Sequence, residues 1–206
     1  FDFTGLGESE GDFGATGLSA NIADLVAAAD WLLSQSRTPT LLIGHSLGGA
    51  AAIAAANRIS SIRAVATIGA PADADHVTRL LEDKVETIEQ QGSARVSIGG
   101  RSFSLTREFL DDVRSVSVQE QSRQLDKPLM IFHSPIDRVV GIDNAARLYD
   151  AARHPKNFVA LDGADHLLSE RRDAQFVAQM TATWASRYLA TTPQSDARTS
   201  ETSANG

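Results

Sequence analysis

Residues 40–50 run Thr40-Leu41-Leu42-Ile43-Gly44-His45-Ser46-Leu47-Gly48-Gly49-Ala50. The first part, residues 40–43, is a short apolar run without polar alternation, the pattern of a strand covered on both faces. The last part opens an alanine-rich stretch, residues 47–57, that reads as a buried helix. Between them stands Gly44-His45-Ser46-Leu47-Gly48, a G-x-S-x-G turn. A serine at such a strand-to-helix turn is lifted clear of the sheet onto a helix N-terminus, and only small flanking residues let strand and helix pass this closely. At ordinary glycine and serine frequencies the pattern arises by chance in roughly 7% of chains this long. The strand before it and the helix after it therefore carry the weight of the reading.

Outward from this turn, strands alternate with helices. Upstream, residues 1–3 read as the end of a strand and residues 4–17, rich in glycine and acid, as a loop. Ile22, Leu25, Val26, Ala29, Leu32 and Leu33 recur at helical spacing, with Ser19 or Asn21 as candidate caps. Downstream, residues 64–68 are an apolar strand closed by Gly69-Ala70-Pro71. The rhythm changes over residues 72–125, where an acidic amphipathic helix carries Val77, Leu80, Leu81, Val85 and Ile88. A hairpin signal follows around Gly99-Gly100, and then a short helix near Phe109. This stretch reads as a cap inserted in a single domain spanning residues 1–190. The strand–helix rhythm resumes with strands at 129–132 and 158–161, a helix capped by Asp143, and a last helix whose face carries Phe176, Val177, Met180, Trp184 and Tyr188. Residues 191–206 are polar and read as a disordered tail or linker. The alternation implies an α/β fold, a mostly parallel sheet with helices on both faces.

Composition narrows the function. The chain of 206 residues has a formal net charge of −7, which argues against nucleic acid or an anionic membrane as partner, since both need a basic face. It has no cysteine, so disulfides, thiolate metal sites and cysteine nucleophiles are excluded. No apolar stretch reaches the roughly 20 residues that span a bilayer, and no signal segment opens the chain, so the expected location is the cytoplasm. No cluster has metal-ligand spacing and no Gly-rich phosphate cradle appears, so no metal or cofactor is expected.

A serine hydroxyl needs a base, and the base needs an orienting acid. When a G-x-S-x-G turn sits in an α/β sheet, acid and then histidine follow in chain order, each past a later strand. Asp137, in His133-Ser134-Pro135-Ile136-Asp137, follows the strand at 129–132. His166, in Asp162-Gly163-Ala164-Asp165-His166, follows the strand at 158–161. The ordinary alternatives are a turn-forming Asp beside Pro135 and a solvated loop histidine. Asp162 and Asp165 lie too close to His166 in sequence to come from a separate strand, whereas Asp73 follows an earlier strand and is a rival acid. His45 is expected to point away from the nucleophile, His133 to shape the acid loop, and His76 and His154 to lie on the surface.

These segments resemble the α/β-hydrolase superfamily. More narrowly, the chain is similar to the hydrolase half of bacterial proteins that fuse a hydrolase to a C-terminal OsmC-like domain. The resemblance rests on Phe1-Asp2-Phe3-Thr4-Gly5-Leu6-Gly7-Glu8-Ser9, residues 42–49, Ala66-Thr67-Ile68-Gly69-Ala70-Pro71, residues 133–137 and Ala164-Asp165-His166-Leu167-Leu168. It implies cofactor-free hydrolysis of an ester, thioester or amide in a small molecule, through Ser46, His166 and Asp137. It also implies that about three strands and a helix precede Phe1, and that a loop among them supplies a second oxyanion N–H beside that of Leu47. Neither the loop nor the OsmC-like domain lies within these residues, so the chain reads as part of a longer protein, poorly active alone. A non-catalytic module that kept the fold, and a peptidase-like member of the superfamily, are the rival readings.

Overall fold

The computed structural model describes residues 1–73, 81–98 and 101–189. Among them, four parallel strands form one sheet in the order β1 (Leu41–His45), β2 (Ala64–Ile68), β5 (Leu129–His133), β6 (Lys156–Ala160). The register runs from Leu41 opposite Ala64 to His45 opposite Ile68, and from Leu129 opposite Lys156 to His133 opposite Ala160. The two central strands, β2 and β5, are short, apolar and almost wholly buried, so helices must cover both faces. The helices are α1 (Leu18–Ser34), α2 (Leu47–Ala56), α3 (Glu82–Gln91), α4 (Arg107–Ser115), α5 (Val118–Gln124), α6 (Asp143–Ala151) and α7 (Arg171–Leu189).

The period-2 alternation of strand side chains sorts the interior into two cores. Val65, Leu129 and Ile131 point to a large core shared with α1, α2, α4 and α6. Their neighbours Ala66, Met130 and Phe132 point to a smaller one closed by Val177 of α7. Helices on both faces of a parallel sheet are the expected architecture. No helix among the described residues is long and apolar enough to cross a membrane.

Local sequence decides most elements, and the exceptions have identifiable causes. Residues 1–3 are irregular rather than strand, because no strand of the sheet lies beside them. The cap of α1 is neither Ser19 nor Asn21. The N-cap is Gly17, and the carboxylate of Asp112 in α4 accepts from the Ser19 N–H at 2.9 Å. Asp143 likewise does not cap α6 with its side chain; it occupies the first turn, where its charge suits the helix dipole.

Between β2 and β5, α3 leads into an antiparallel hairpin of β3 (Ser93–Ile98) and β4 (Arg101–Thr106), then α4 and the unforeseen α5. The Gly99-Gly100 turn, the segment with His76, Val77 and Leu80, and the tail from residue 190 lie outside the described residues. Part of this region packs on the loop before α1. Phe13 meets Phe103 and Phe109 with ring centroids 5.1 and 5.8 Å apart.

Candidate active site

β1 ends at His45, and the chain turns into α2 through Ser46, whose φ of 52° and ψ of −127° lie outside the regions favoured by L-residues. Gly44 makes this turn possible, because a Cβ there would sit 2.2 Å from the Gly48 carbonyl oxygen. The Ser46 N–H is tied to the neighbouring strand through the Ile68 carbonyl at 2.8 Å. Its side chain is thus presented at the C-terminal edge of the sheet, where ligands of open α/β sheets bind.

Two loops converge on it. After β5, Asp137 enters a tight turn in which its Oδ1 accepts from the N–H groups of Val139 and Val140 at 2.8 and 2.9 Å. After β6, the loop crosses the ends of β5 and β2 to deliver His166. His166 Nδ1 lies 2.7 Å from Asp137 Oδ2, and His166 Nε2 lies 3.1 Å from Ser46 Oγ. A carboxylate only accepts, so Nδ1 carries the proton and Nε2 faces the serine as an acceptor. Burial raises the pKa of Asp137, but hydrogen bonds from His166, Val140 and Val139 outweigh it and hold the carboxyl below its ordinary range.

The ground under this pair must be bare. Gly69, just past β2, has φ +56°, and a Cβ there would come within 3.2 Å of His166 Nδ1 and 3.3 Å of Asp137 Oδ2. The sequence marks Gly69 only as the end of a strand; its place beneath the site follows from β2 lying between β1 and β5.

The other sequence candidates fall elsewhere. Asp73 pairs with Arg147, away from His166. Asp165 folds back on its own loop, accepting from the Ser169 N–H at 2.8 Å. Asp162 and His154 are exposed. His133 is fully buried, and its Nε2 donates to the Val140 carbonyl at 2.8 Å, inside the acid loop as expected. His45, expected to point away from the nucleophile, brings its Nε2 to 2.7 Å from the His166 carbonyl oxygen. Among the described residues no group of acidic residues and histidines could hold a metal ion.

A groove of about 420 Å³ opens beside Ser46, lined by Phe1, Phe3, Phe13, Leu25 and Ile43 among others. No described residue of the 72–125 region lines it, but Phe13 does, backed by Phe103 and Phe109. A larger groove between α6 and β6, about 580 Å³, carries none of Ser46, Asp137 and His166.

The comparisons with known proteins agree with this architecture. The esterase domain of a Rhodothermus marinus protein is 47% identical, with a TM-score of 0.73 over 92% of this chain and 74% of that one. A protein from Agrobacterium vitis S4, 19% identical, shares the fold with a TM-score of 0.73 over 89% of this chain and 74% of its own. The uncharacterized protein YfhR of Salmonella typhimurium is 26% identical over 170 residues, 81% of this chain and 53% of its own length. The chain thus spans about half the length of the curated relatives it matches. The model of the Alpha/beta hydrolase family matches residues 1–179, and the chain belongs to that family.

Proposed function

We propose that the chain is the nucleophile-bearing part of a serine hydrolase that cleaves a carboxylic ester, thioester or amide through an acyl-enzyme. The observation that carries this reading is the unbroken hydrogen-bond chain from Ser46 Oγ through His166 to Asp137, starting at a strained turn on a helix N-terminus. In this mechanism His166 Nε2 takes the Ser46 proton as Oγ attacks the carbonyl carbon, then returns it to the leaving group. A water, deprotonated by the same nitrogen, releases the acid. Asp137 keeps His166 in the required tautomer and stabilises its imidazolium. The Leu47 N–H, which as a first-turn group has no intrahelical acceptor, donates to the oxyanion.

The apolar groove beside Ser46 suits an apolar acyl group, and the region 72–125 shapes that groove through Phe13. The 47% identical neighbour is itself the esterase domain of a protein, which supports the narrower reading of this chain as the hydrolase part of a fusion. A second oxyanion donor from outside these residues would add about 2.7–4 kcal/mol of transition-state stabilisation.

The test is covalent labelling with a fluorophosphonate, which needs an activated serine but not full turnover. Ser46 is expected to be the labelled residue, and Ser46→Ala to abolish both labelling and hydrolysis of p-nitrophenyl esters. Comparing those esters with aminoacyl amides separates an esterase from a peptidase. Labelling undiminished in Ser46→Ala would sink the proposal. No labelling of the wild-type chain would favour a non-catalytic module.

A further inference from the structure

The loop that carries His166 leaves β6 at one edge of the sheet and must hold an imidazole over the end of β1 at the other. Asp137 fixes the ring at Nδ1, but one side-chain hydrogen bond leaves the loop's main chain free to rise or fall. The main chain has its own anchor. His45, the residue before the nucleophile, brings Nε2 to 2.7 Å from the His166 carbonyl oxygen, and the two rings lie 4.7 Å apart at 48°. A carbonyl oxygen only accepts, so His45 Nε2 carries the proton and donates it.

His45 and Ser46 are adjacent on one constrained turn, so this bond references the His166 backbone to the nucleophile's own strand. The hydrogen bonds that flank His166 in the loop lead only to the loop's own start or back into it. Ala164 N–H donates to Leu161 beside β6, and Leu168 and Ser169 bond back to Asp165.

We propose that His45 is a positioning residue for His166, its Nε2–H holding the His166 carbonyl so that His166 Nε2 stays within reach of Ser46 Oγ. This rests on the catalytic reading of the Ser46–His166–Asp137 set. Although the residue as a whole is exposed, loss of water around its ring is the main cause that lowers the His45 pKa, which favours the neutral ring. Neutrality suits the role, because an imidazolium at 4.7 Å would oppose the charge His166 acquires when it takes the serine proton. The His45 residue is exposed at the sheet edge, so replacing it opens no core cavity.

The decisive pair of variants is His45→Phe, which keeps a flat ring without a donor, and His45→Gln. Gln places an amide nitrogen the same number of bonds from Cβ as Nε2 of histidine, so it restores the donor. The readouts are the rate of Ser46 labelling by a fluorophosphonate, thermal unfolding, and the low-field proton resonance of the His166–Asp137 hydrogen bond. In His45→Phe the labelling rate is expected to fall about 10- to 100-fold, as for a displaced catalytic group, with the resonance broadened and unfolding little changed. His45→Gln should recover most of the rate and the resonance. Wild-type rate and resonance in His45→Phe would overturn the inference, and so would equal losses in both variants. If the wild-type chain is not labelled at all, the catalytic reading fails on its own. The resonance then decides the anchor, lost in the Phe variant and kept in the Gln variant if the anchor exists.

Discussion

Asp137 is the residue where geometry, charge and stability meet. It receives His166 on one oxygen and two backbone N–H groups on the other, and burial opposes them without prevailing. Its folded-state pKa is therefore lower than in the unfolded chain, where an Asp titrates near about 3.9. As pH falls, the unfolded chain binds this proton first. The stability contributed by the carboxylate is thus fully present above the unfolded value and is lost as pH falls through the folded one. Asp137→Asn should lower the unfolding temperature at pH 7 and converge towards the wild type near pH 3, about one unit below the unfolded value. Thermal melts of both proteins across that range are the check, and a gap that stayed constant would refute the account. The same variant presents an amide N–H₂ to His166 Nδ1 and forces the wrong tautomer, a change worth on the order of 10⁴ in kcat. The loss in Asp137→Asn should still be smaller than in Ser46→Ala, because the nucleophile and its histidine base both remain.

Among the elements, α2 shows most directly how composition fixes packing. Its residues from Gly49 to Ala56 are all buried, with Ala50, Ala51, Ala54 and Ala55 at 1% exposure or less. Only small side chains let α1 and the sheet close on it from both sides. Ala55→Leu should cost about 1–3 kcal/mol by overpacking. Denaturant unfolding measures this, and a loss below about 0.5 kcal/mol would mean the helix has slack, since surface-like changes fall in that range.

The same residues explain what could be read from sequence. β1, β2 and β5 were legible almost to the residue because buried parallel strands are short unbroken apolar runs. Ser46 and Asp137 could be singled out because each stands just past such a run, and His166 because it follows the apolar residues 158–161 at the end of the edge strand. α5 was missed although Ser117-Val118-Gln119-Glu120 has the S-x-x-E capping pattern, and Ser117 Oγ does accept from the Glu120 N–H. Its seven residues offer too few apolar positions for a period to emerge. The Asp112 cap on α1 comes from 93 residues away, and the contacts of His45 and Gly69 exist only once three strands lie side by side. No local pattern encodes such pairings.

Among the described residues of the whole molecule, the four-stranded sheet ends in two edge strands, β1 and β6, and they are not alike. β6 begins directly after Pro155 with Lys156, and both a proline and a charge discourage another chain from adding there. β1 offers Leu41, Leu42 and Ile43 with no charge among them, and Ile43 is 56% exposed beside Phe1 at 76%. An apolar, uncharged edge with unpaired N–H and C=O groups is a template for pairing. The net charge of −7 opposes association, but only over a screening length of about 10 Å at 0.1 M salt. Residues 1–206 are therefore expected to self-associate with rising concentration, and more strongly as salt increases. Because Ile43 already faces solvent, Ile43→Lys should place a charge on the edge at little cost to the fold and restore a monomer. Light scattering over a concentration series, at low and high salt, gives the answer. A wild-type chain that stays monomeric throughout would show that the β1 edge is closed in solution. Relief of association by Phe158→Lys but not by Ile43→Lys would move the sticky edge to β6.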